Sequence, residues 1–492
     1  MIPLFIIIPL ACAFLIPVAG AKFKILAPVI AAAGAFALLL LSLLSVSWIA
    51  GGDVITYEAG GWPAPFGILM VLDGLSVLML IVVNIIGFLS LLYSVEYMKK
   101  YTSPVYYYTL FSLLLAGLNG TVISGDLFNL FVFVEISAVS SYALVAFGTE
   151  KQELEAAFRY AVLGTLAFVS ILLGIGMVYS YASTLNMADL SAVLAAGQPG
   201  AVIPFVAVLF IAGFGLKAAL VPFHSWLPDA HPAAPAPISA MLSGVVIKTI
   251  GIYALVRILF NVIGMTPDVS AVLAWLGIIS MLAGVLLAIG QWDFKRLLAY
   301  HSISQIGYVV FGIALGTPVG IIGGLFHLLN HSLFKSLLFL NAGSVEQASG
   351  TRKLDELGGL SDSMPVTGGT SLIASLSIAG IPPFCGFWSK LIIIIAAFQA
   401  GHTAGAVVCI FTGIVTLASF LKVQQYVFLR KKEQAKDFLK EAPLLMKFSM
   451  VFLAVLCVLA GVLFMPLINA VIRPAADVLL QGTDYAFRIL GV

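Results

Sequence analysis

The chain has 492 residues, of which 61% are hydrophobic and only 9% charged, against roughly 25% charged in soluble globular domains. That composition excludes a water-soluble fold, and a formal net charge of +2 gives no pull toward a nucleic acid. Lipid is the solvent this sequence is written for.

A hydrocarbon core of roughly 30 Å takes about 20 helical residues, so the length accommodates about fourteen spans with short connections and leaves no room for a soluble domain. Apolar runs begin near Ile2, Leu26, Val71, Tyr106, Leu127, Phe158, Ala201, Ile238, Ser270, Ser302, Ile321, Gly368, Ala404 and Leu444. The runs are continuous rather than alternating, which predicts helices and not barrel strands. The first has no Lys or Arg ahead of it and is followed by more apolar sequence, so it is expected as a spanning helix rather than a cleaved leader.

Basic residues follow the odd-numbered spans: Lys22 and Lys24, Lys99 and Lys100, Lys151 and Arg159, Lys295 and Arg296, Arg352 and Lys353, then Arg430, Lys431, Lys432, Lys436 and Lys440. The even-to-odd connections hold Asp53, Glu58, Asp126, Asp189, Asp268 and His402, with no Lys or Arg. The positive-inside rule then predicts that the odd-to-even side is cytoplasmic, with both termini on the outer side of a cytoplasmic (inner) membrane. Arg257, late in span 8 near the outer face, does not fit this pattern and is expected to snorkel; Arg473 and Arg488 in the C-terminal tail, accompanied by Asp477 and Asp484, are the other exceptions.

Charged residues also fall at bilayer depth, where each costs about 2.5 to 3.5 kcal/mol on insertion scales and demands a partner or a function. They are Glu135 in span 5, Lys217 in span 7, Lys248 in span 8, His327, His331 and Lys335 in span 11, and Lys390 in span 12. The three in span 11 are spaced by four, which lays them along one stripe of a helix. A single such histidine is as well explained by a hydrogen bond to a neighbouring helix; the whole set is not. A desolvated lysine loses proton affinity and a nearby carboxylate restores it, so a Glu–Lys pair works as a switch and a row of them as a relay.

Two spans must break. In span 7, Lys217 precedes Pro222 and the stretch FHSWLPDAHPAAPAP; in span 12, Gly380, Pro382 and Pro383 precede Lys390. The two spans run in opposite directions and carry lysine and break in reversed order. A single membrane domain, 1–492, with two inverted five-helix halves, 106–262 and 270–430, accounts for both. Prolines that merely kink packed helices are the plainer reading of either segment alone. Asp229 and His231, within the first break, stand where a cytoplasmic entrance would lie, with a turn role as the simpler alternative. Asp73, near the outer start of span 3, is placed to cap that helix as readily as to conduct protons. The four cysteines, Cys12, Cys385, Cys409 and Cys457, form no C-x-x-C pair, so no metal, iron–sulfur cluster or other cofactor is expected.

Over nearly its whole length the chain resembles the antiporter-like subunits shared by Mrp-type multisubunit cation/proton antiporters, membrane-bound hydrogenases and respiratory complex I. The motifs that carry the resemblance are FNLFVFVEISAVSSYAL, GLKAALVPFHSWLPDAHPAAPAPISAML, DFKRLLAYHSISQIGY, HLLNHSLFKSLLFL and IPPFCGFWSKL. The resemblance implies a fourteen-helix core with two inverted five-helix units, each holding a broken helix. It implies that Glu135 and Lys217 form a pair, that Lys248, His327, His331 and Lys335 continue the relay, and that Lys390 ends it. Lysine at that last position and a short tail favour the Mrp D-type or hydrogenase-type group. The implied function is that of a proton-translocating subunit working with other membrane subunits and without catalysis of its own. Its cargo is H+, with Na+ exchanged by this subunit or elsewhere in the assembly. A proton-pumping subunit of a redox-driven complex, and a structural spacer whose interior charges are replaceable, remain the competing readings.

Overall fold

The structure, a computed structural model, describes residues 1–197, 200–430 and 439–490; Lys431, Lys432 and Lys436 of the expected basic connection lie outside them. Helices appear in chain order as α1 (Leu4–Lys22), α2 (Leu26–Trp48), α3 (Gly74–Tyr97), α4 (Pro104–Ile123), α5 (Leu127–Val145), α6 (Lys151–Ala182) and the short α7 (Met187–Ala196). The broken span 7 is α8 (Val202–Lys217) and α9 (Leu227–Ala233). One continuous helix then runs through α10 (Ala236–Met241), a π-helical stretch (Leu242–Tyr253) and α11 (Ala254–Asn261). After these come α12 (Pro267–Ile289), α13 (Phe294–Ala314), α14 (Pro318–Ser349) and α15 (Leu360–Ser363). The broken span 12 is α16 (Pro365–Ala379) and α17 (Cys385–Gln399), followed by α18 (Thr403–Val423) and α19 (Leu444–Val462).

Among the described residues, eleven helices are long and apolar enough to cross a membrane. The expected count of about fourteen is reached only by adding α14 and the two broken spans, and these three are where the polar residues concentrate. The all-helical expectation needs one amendment: Val71, expected to open span 3, lies in a strand, Leu69–Leu72, paired antiparallel with Ile55–Glu58. Span 3 starts instead at Gly74, because Asp73 accepts from the Ser76 N–H at 2.8 Å and caps the helix as its sequence position suggested.

The bundle is built inside out. Every residue of Ala236–Asn261 and 25 of the 32 residues of α14 are buried, while α1, α2 and α6 present Phe14, Leu44, Phe158 and Leu166 to their surroundings. Lipid rewards apolar residues at the periphery, so the polar ones collect at the helix interfaces.

Arg257 does not snorkel. It is buried on α11, with its guanidinium on Asp73 through Nη1 at 2.8 Å and Nη2 at 2.9 Å. The hydroxyl of Tyr485 donates to the same carboxylate. Burial pushes the Asp73 carboxyl up, but Arg257, Tyr485 and the Ser76 N–H outweigh it and hold the group below its usual range. Tyr485 belongs to a tail that is more structured than its length suggested, with helices Arg473–Leu480 and Tyr485–Leu490. Asn261 fastens the tail through the carbonyls of Val478 at 2.8 Å and Gly482 at 3.0 Å. Removing one partner of a buried pair strands the other, at about 3–5 kcal/mol. Arg257→Leu is therefore expected to lower the unfolding temperature of the detergent-purified protein and to expose the tail to protease; an unchanged melting curve would count against the pair as a structural lock.

Local details recur along the chain at a constant sequence offset. Helices α6 and α14 each have 32 residues, ending in left-handed residues, Ser183 at φ 56° and Gly350 at φ 75°. Leu127 N–H donates to Leu185 O and Met187 N–H to Gly125 O; Phe294 N–H donates to Arg352 O and Leu354 N–H to Trp292 O, all at 2.8–2.9 Å. Asp126 caps α5 and Asp293 caps α13 in the same manner. Each break also rests on a glycine from a neighbouring helix. A Cβ at Gly251 would lie 2.7 Å from Ala218, and one at Gly461 on α19 would overlap the Pro383 carbonyl oxygen. Backbone cannot yield as a side chain tip can, so Gly461→Ala is expected to displace the second break. Reduced thermal stability and altered protease sensitivity near residues 380–385 would report it; wild-type behaviour would show that the contact is slack.

Candidate functional site

The first break follows from the residues after Lys217. Ala219 takes a left-handed φ of 57° and Pro222 has no N–H to offer. The Leu216 carbonyl accepts both the Ala219 N–H at 3.1 Å and the Trp226 indole N–H at 2.9 Å, and the Val221 N–H finds Ser280 Oγ on α12 at 3.0 Å. Lys217 is left at the end of α8 with its side chain 1% exposed, its Nζ 2.9 Å from Glu135 Oε1 on α5 and 3.3 Å from the Tyr142 hydroxyl. Glu135 is 21% exposed, so the carboxylate reaches the surface of this chain while its partner does not. Gly164 makes room for Tyr142, since a Cβ there would overlap its hydroxyl.

Lys248 lies in the π-helical stretch, fully buried, and its Nζ donates to the Ser243 carbonyl. π turns inside helices concentrate at functional sites, and none was legible from the apolar run that carries this one. Ser243 Oγ and Ser302 Oγ on α13 meet at 2.7 Å.

On α14 the expected stripe is present and wholly buried. His327 is held at both ring nitrogens, Nδ1 by Ser389 Oγ of α17 at 2.9 Å and Nε2 by Gln305 Oε1 of α13 at 3.1 Å. The His331 ring stacks 6.3 Å from it at 19°. Neither nitrogen of His331 nor the Nζ of Lys335 has a hydrogen-bond partner among the described residues; Lys335 has the Phe339 ring, 5.9 Å away. Lys390, one turn into α17, donates to Ile378 O at 2.6 Å, a carbonyl released where α16 stops, and lies 5.0 Å from the Tyr308 ring. Tyr308 in turn lies 5.3 Å from His327.

The Glu135–Lys217 pair and the set on α14 with Lys390 are thus each drawn together. Gln305, Ser389, Tyr308 and Tyr142 do not stand out in the sequence as uncharged residues, although all four lie in motifs that carry the resemblance: Tyr142 in FNLFVFVEISAVSSYAL, Gln305 and Tyr308 in DFKRLLAYHSISQIGY, and Ser389 in IPPFCGFWSKL. Asp229 and His231 part company. Asp229 lines a charged cavity of ≈ 430 Å³ with Lys100, Glu153, Arg159, Lys295 and Glu346, and bonds Arg159 at 2.9 Å. His231 is buried behind that wall, its ring 5.7 Å from Phe339 and both nitrogens without a partner among the described residues. Lys295 and Glu346 pair at 2.7 Å on the cavity's inner side.

Residues 124–416 match the family described as NADH:quinone oxidoreductase/Mrp antiporter, TM, and residues 58–108 match NADH-ubiquinone oxidoreductase (complex I), chain 5 N-terminus. The chain is 35% identical to the D-type subunit of the Na(+)/H(+) antiporter of Alkalihalophilus pseudofirmus over 88% of each protein. It is 38% identical to the N-type subunit of the NADH-quinone oxidoreductase of Desulforudis audaxviator, over 77% of this chain and 76% of that one. Among solved structures it superposes on a chain of the Mrp complex from Dietzia sp. with TM-score 0.90 at 30% identity, covering 100% of this chain and 99% of that one. A chain of the membrane-bound sulfane sulfur reductase, an archaeal respiratory membrane complex, gives TM-score 0.92 at 31% identity, with 99% of each covered. This multi-pass membrane protein belongs to the NADH:quinone oxidoreductase/Mrp antiporter transmembrane family.

Proposed function

We propose that the chain is a proton-translocating, antiporter-like subunit of a multisubunit membrane complex of the Mrp type, working as a D-type subunit of a monovalent cation/H+ antiporter. The observation that carries this reading is the line of buried ionisable groups whose partners are incomplete. A structural charge in lipid is paired and satisfied; Lys335 and His331 are neither among the described residues. Groups held without a fixed partner take up and release protons at small cost in rearrangement.

In this reading Glu135 and Lys217 hold a proton between them, and Lys248, Lys335, His331 and His327 pass it along the centre of the bundle. Lys390 ends the line at the second break. Asp229 marks the mouth, with His231 behind it. The halves 106–262 and 270–430 act as inverted repeats, supported by the matched helix lengths, caps and hydrogen bonds, with about fourteen crossings in all. The cavity is lined by Lys100, Arg159, Lys295, Arg296 and Arg352 alongside Glu150, Glu153, Glu155, Asp229, Asp293 and Glu346; the lysines and arginines, which set the positive-inside bias, favour a cytoplasmic placement of that face in the inner membrane, with both termini outside.

A second reading, a proton-pumping subunit of a redox-driven complex, is supported by the identity to an NADH-quinone oxidoreductase subunit and by the likeness to the sulfane sulfur reductase. The deciding experiment is purification of the native assembly, with its subunits identified, followed by a vesicle assay in which added Na+ collapses a preset pH gradient. Membrane subunits alone together with Na+-driven collapse support the antiporter; iron–sulfur or nickel–iron subunits and no response to Na+ would overturn it in favour of the pump.

A further inference from the structure

The relay is reached from the cavity at Asp229, yet a second set of polar residues runs from the same face into the other half of the bundle. Helix α18 carries Thr412, Thr416 and Ser419 on one buried face, and at its end Gln424 donates to Ser371 Oγ at 3.1 Å and Ser375 Oγ at 2.9 Å on α16. The opposite face of α18 is apolar and exposed, with Val407, Phe411, Ile414 and Leu421. The polar residues therefore line the contact between helices and not the lipid.

At the inner part of this seam stands His301 of α13, fully buried, its ring 4.9 Å from Phe420 of α18. Both of its ring nitrogens, and Ser419 Oγ nearby on the same helix face as Thr416, lack a hydrogen-bond partner among the described residues. A histidine kept for packing donates its N–H to something. Leaving such atoms unmet costs about 1–3 kcal/mol each, and a polar, enclosed site of this sort is where buried water is found. One turn further along α13, Gln305 holds His327 Nε2 at 3.1 Å, so His301 stands between the His327 end of the relay and the basic face.

We propose that His301 is a further relay residue, at the inner end of a hydrated seam between α13, α16 and α18 that gives protons a second route from the basic face to Lys335 and Lys390. A proton from seam water adds to one ring nitrogen, the proton on the other nitrogen leaves through water to a neutral lysine Nζ, and ring rotation or tautomer exchange restores the starting imidazole. The seam does not pass through Asp229, Lys217 or Glu135, so each half of the chain loads a proton of its own; the two are moved in one coupled cycle, so that loss of either access stops flux. The inference rests on the proton-translocating reading above.

The test uses the assembled complex in vesicles. His301→Gln keeps a polar side chain of similar reach but cannot carry a proton, and flux is expected to fall about a hundredfold, the lower end of the span ascribed to a positioned proton-transfer group. In a chain with Cys12, Cys385, Cys409 and Cys457 replaced, Ser419→Cys is expected to react with a small charged, membrane-impermeant methanethiosulfonate applied from the basic face, and the reaction to block flux. Labelling needs no change at His301, so it decides the matter even if the histidine variant fails to assemble. An unreactive Ser419→Cys, or normal flux in assembled His301→Gln, overturns the seam. If Lys217→Ala still abolishes flux in that case, the seam alone has failed; if flux survives there as well, the relay has failed with it.

Discussion

Lys217→Ala is expected to abolish proton flux in vesicles containing the assembled complex while leaving the amount of assembled protein close to that of the parent. The asymmetry of the pair explains both halves of that outcome. Lys217 is 1% exposed and Glu135 21% exposed, so removing the lysine leaves a carboxylate with access to its surroundings. Removing the glutamate leaves an ammonium buried with only the Tyr142 hydroxyl at 3.3 Å. Glu135→Ala is therefore expected to lose flux and stability together, with a cost toward the upper part of the range of about 3–5 kcal/mol for breaking a buried pair. Equal flux in parent and Lys217→Ala assemblies would remove the pair from the pathway. Equal stability of the two variants would contradict the burial difference on which the asymmetry rests.

How far the sequence reaches depends on what each feature needs. The all-helical membrane fold and the two breaks follow from local composition: apolar runs, and prolines that cannot continue a helix. Lys217, Lys248, Lys335 and Lys390 stand out for the same reason, because a charge in an apolar run is visible without knowing its neighbours. Pairings across the fold are not visible. Arg257 looks misplaced until Asp73 and Tyr485, far from it in the chain, are found around its guanidinium. The π stretch around Lys248 leaves no mark on the apolar run that carries it, and the strand at Leu69–Leu72 depends on a partner at Ile55–Glu58. His301 sits within the motif DFKRLLAYHSISQIGY without drawing notice, since a histidine early in a span reads as interfacial unless its burial is known.

The second large effect concerns Lys335, where structure and function pull in opposite directions. Lys335 makes no hydrogen bond among the described residues and meets only the face of Phe339 at 5.9 Å. A polar head in this position is a burden on the fold, because burying an ionisable group without a fixed partner costs several kcal/mol on the order set by its desolvation. A methionine is of similar length, apolar and flexible enough to fill the same volume. Lys335→Met is therefore expected to raise the unfolding temperature of the complex, which is what a spacer protein would have gained at no loss.

Proton flux through assembled Lys335→Met complexes, compared with parent vesicles at matched protein content, tests the relay most directly. Loss of flux in a complex at least as stable as the parent is the predicted result. Undiminished flux with that added stability would mean that the buried charges carry nothing, and the transport reading would fall.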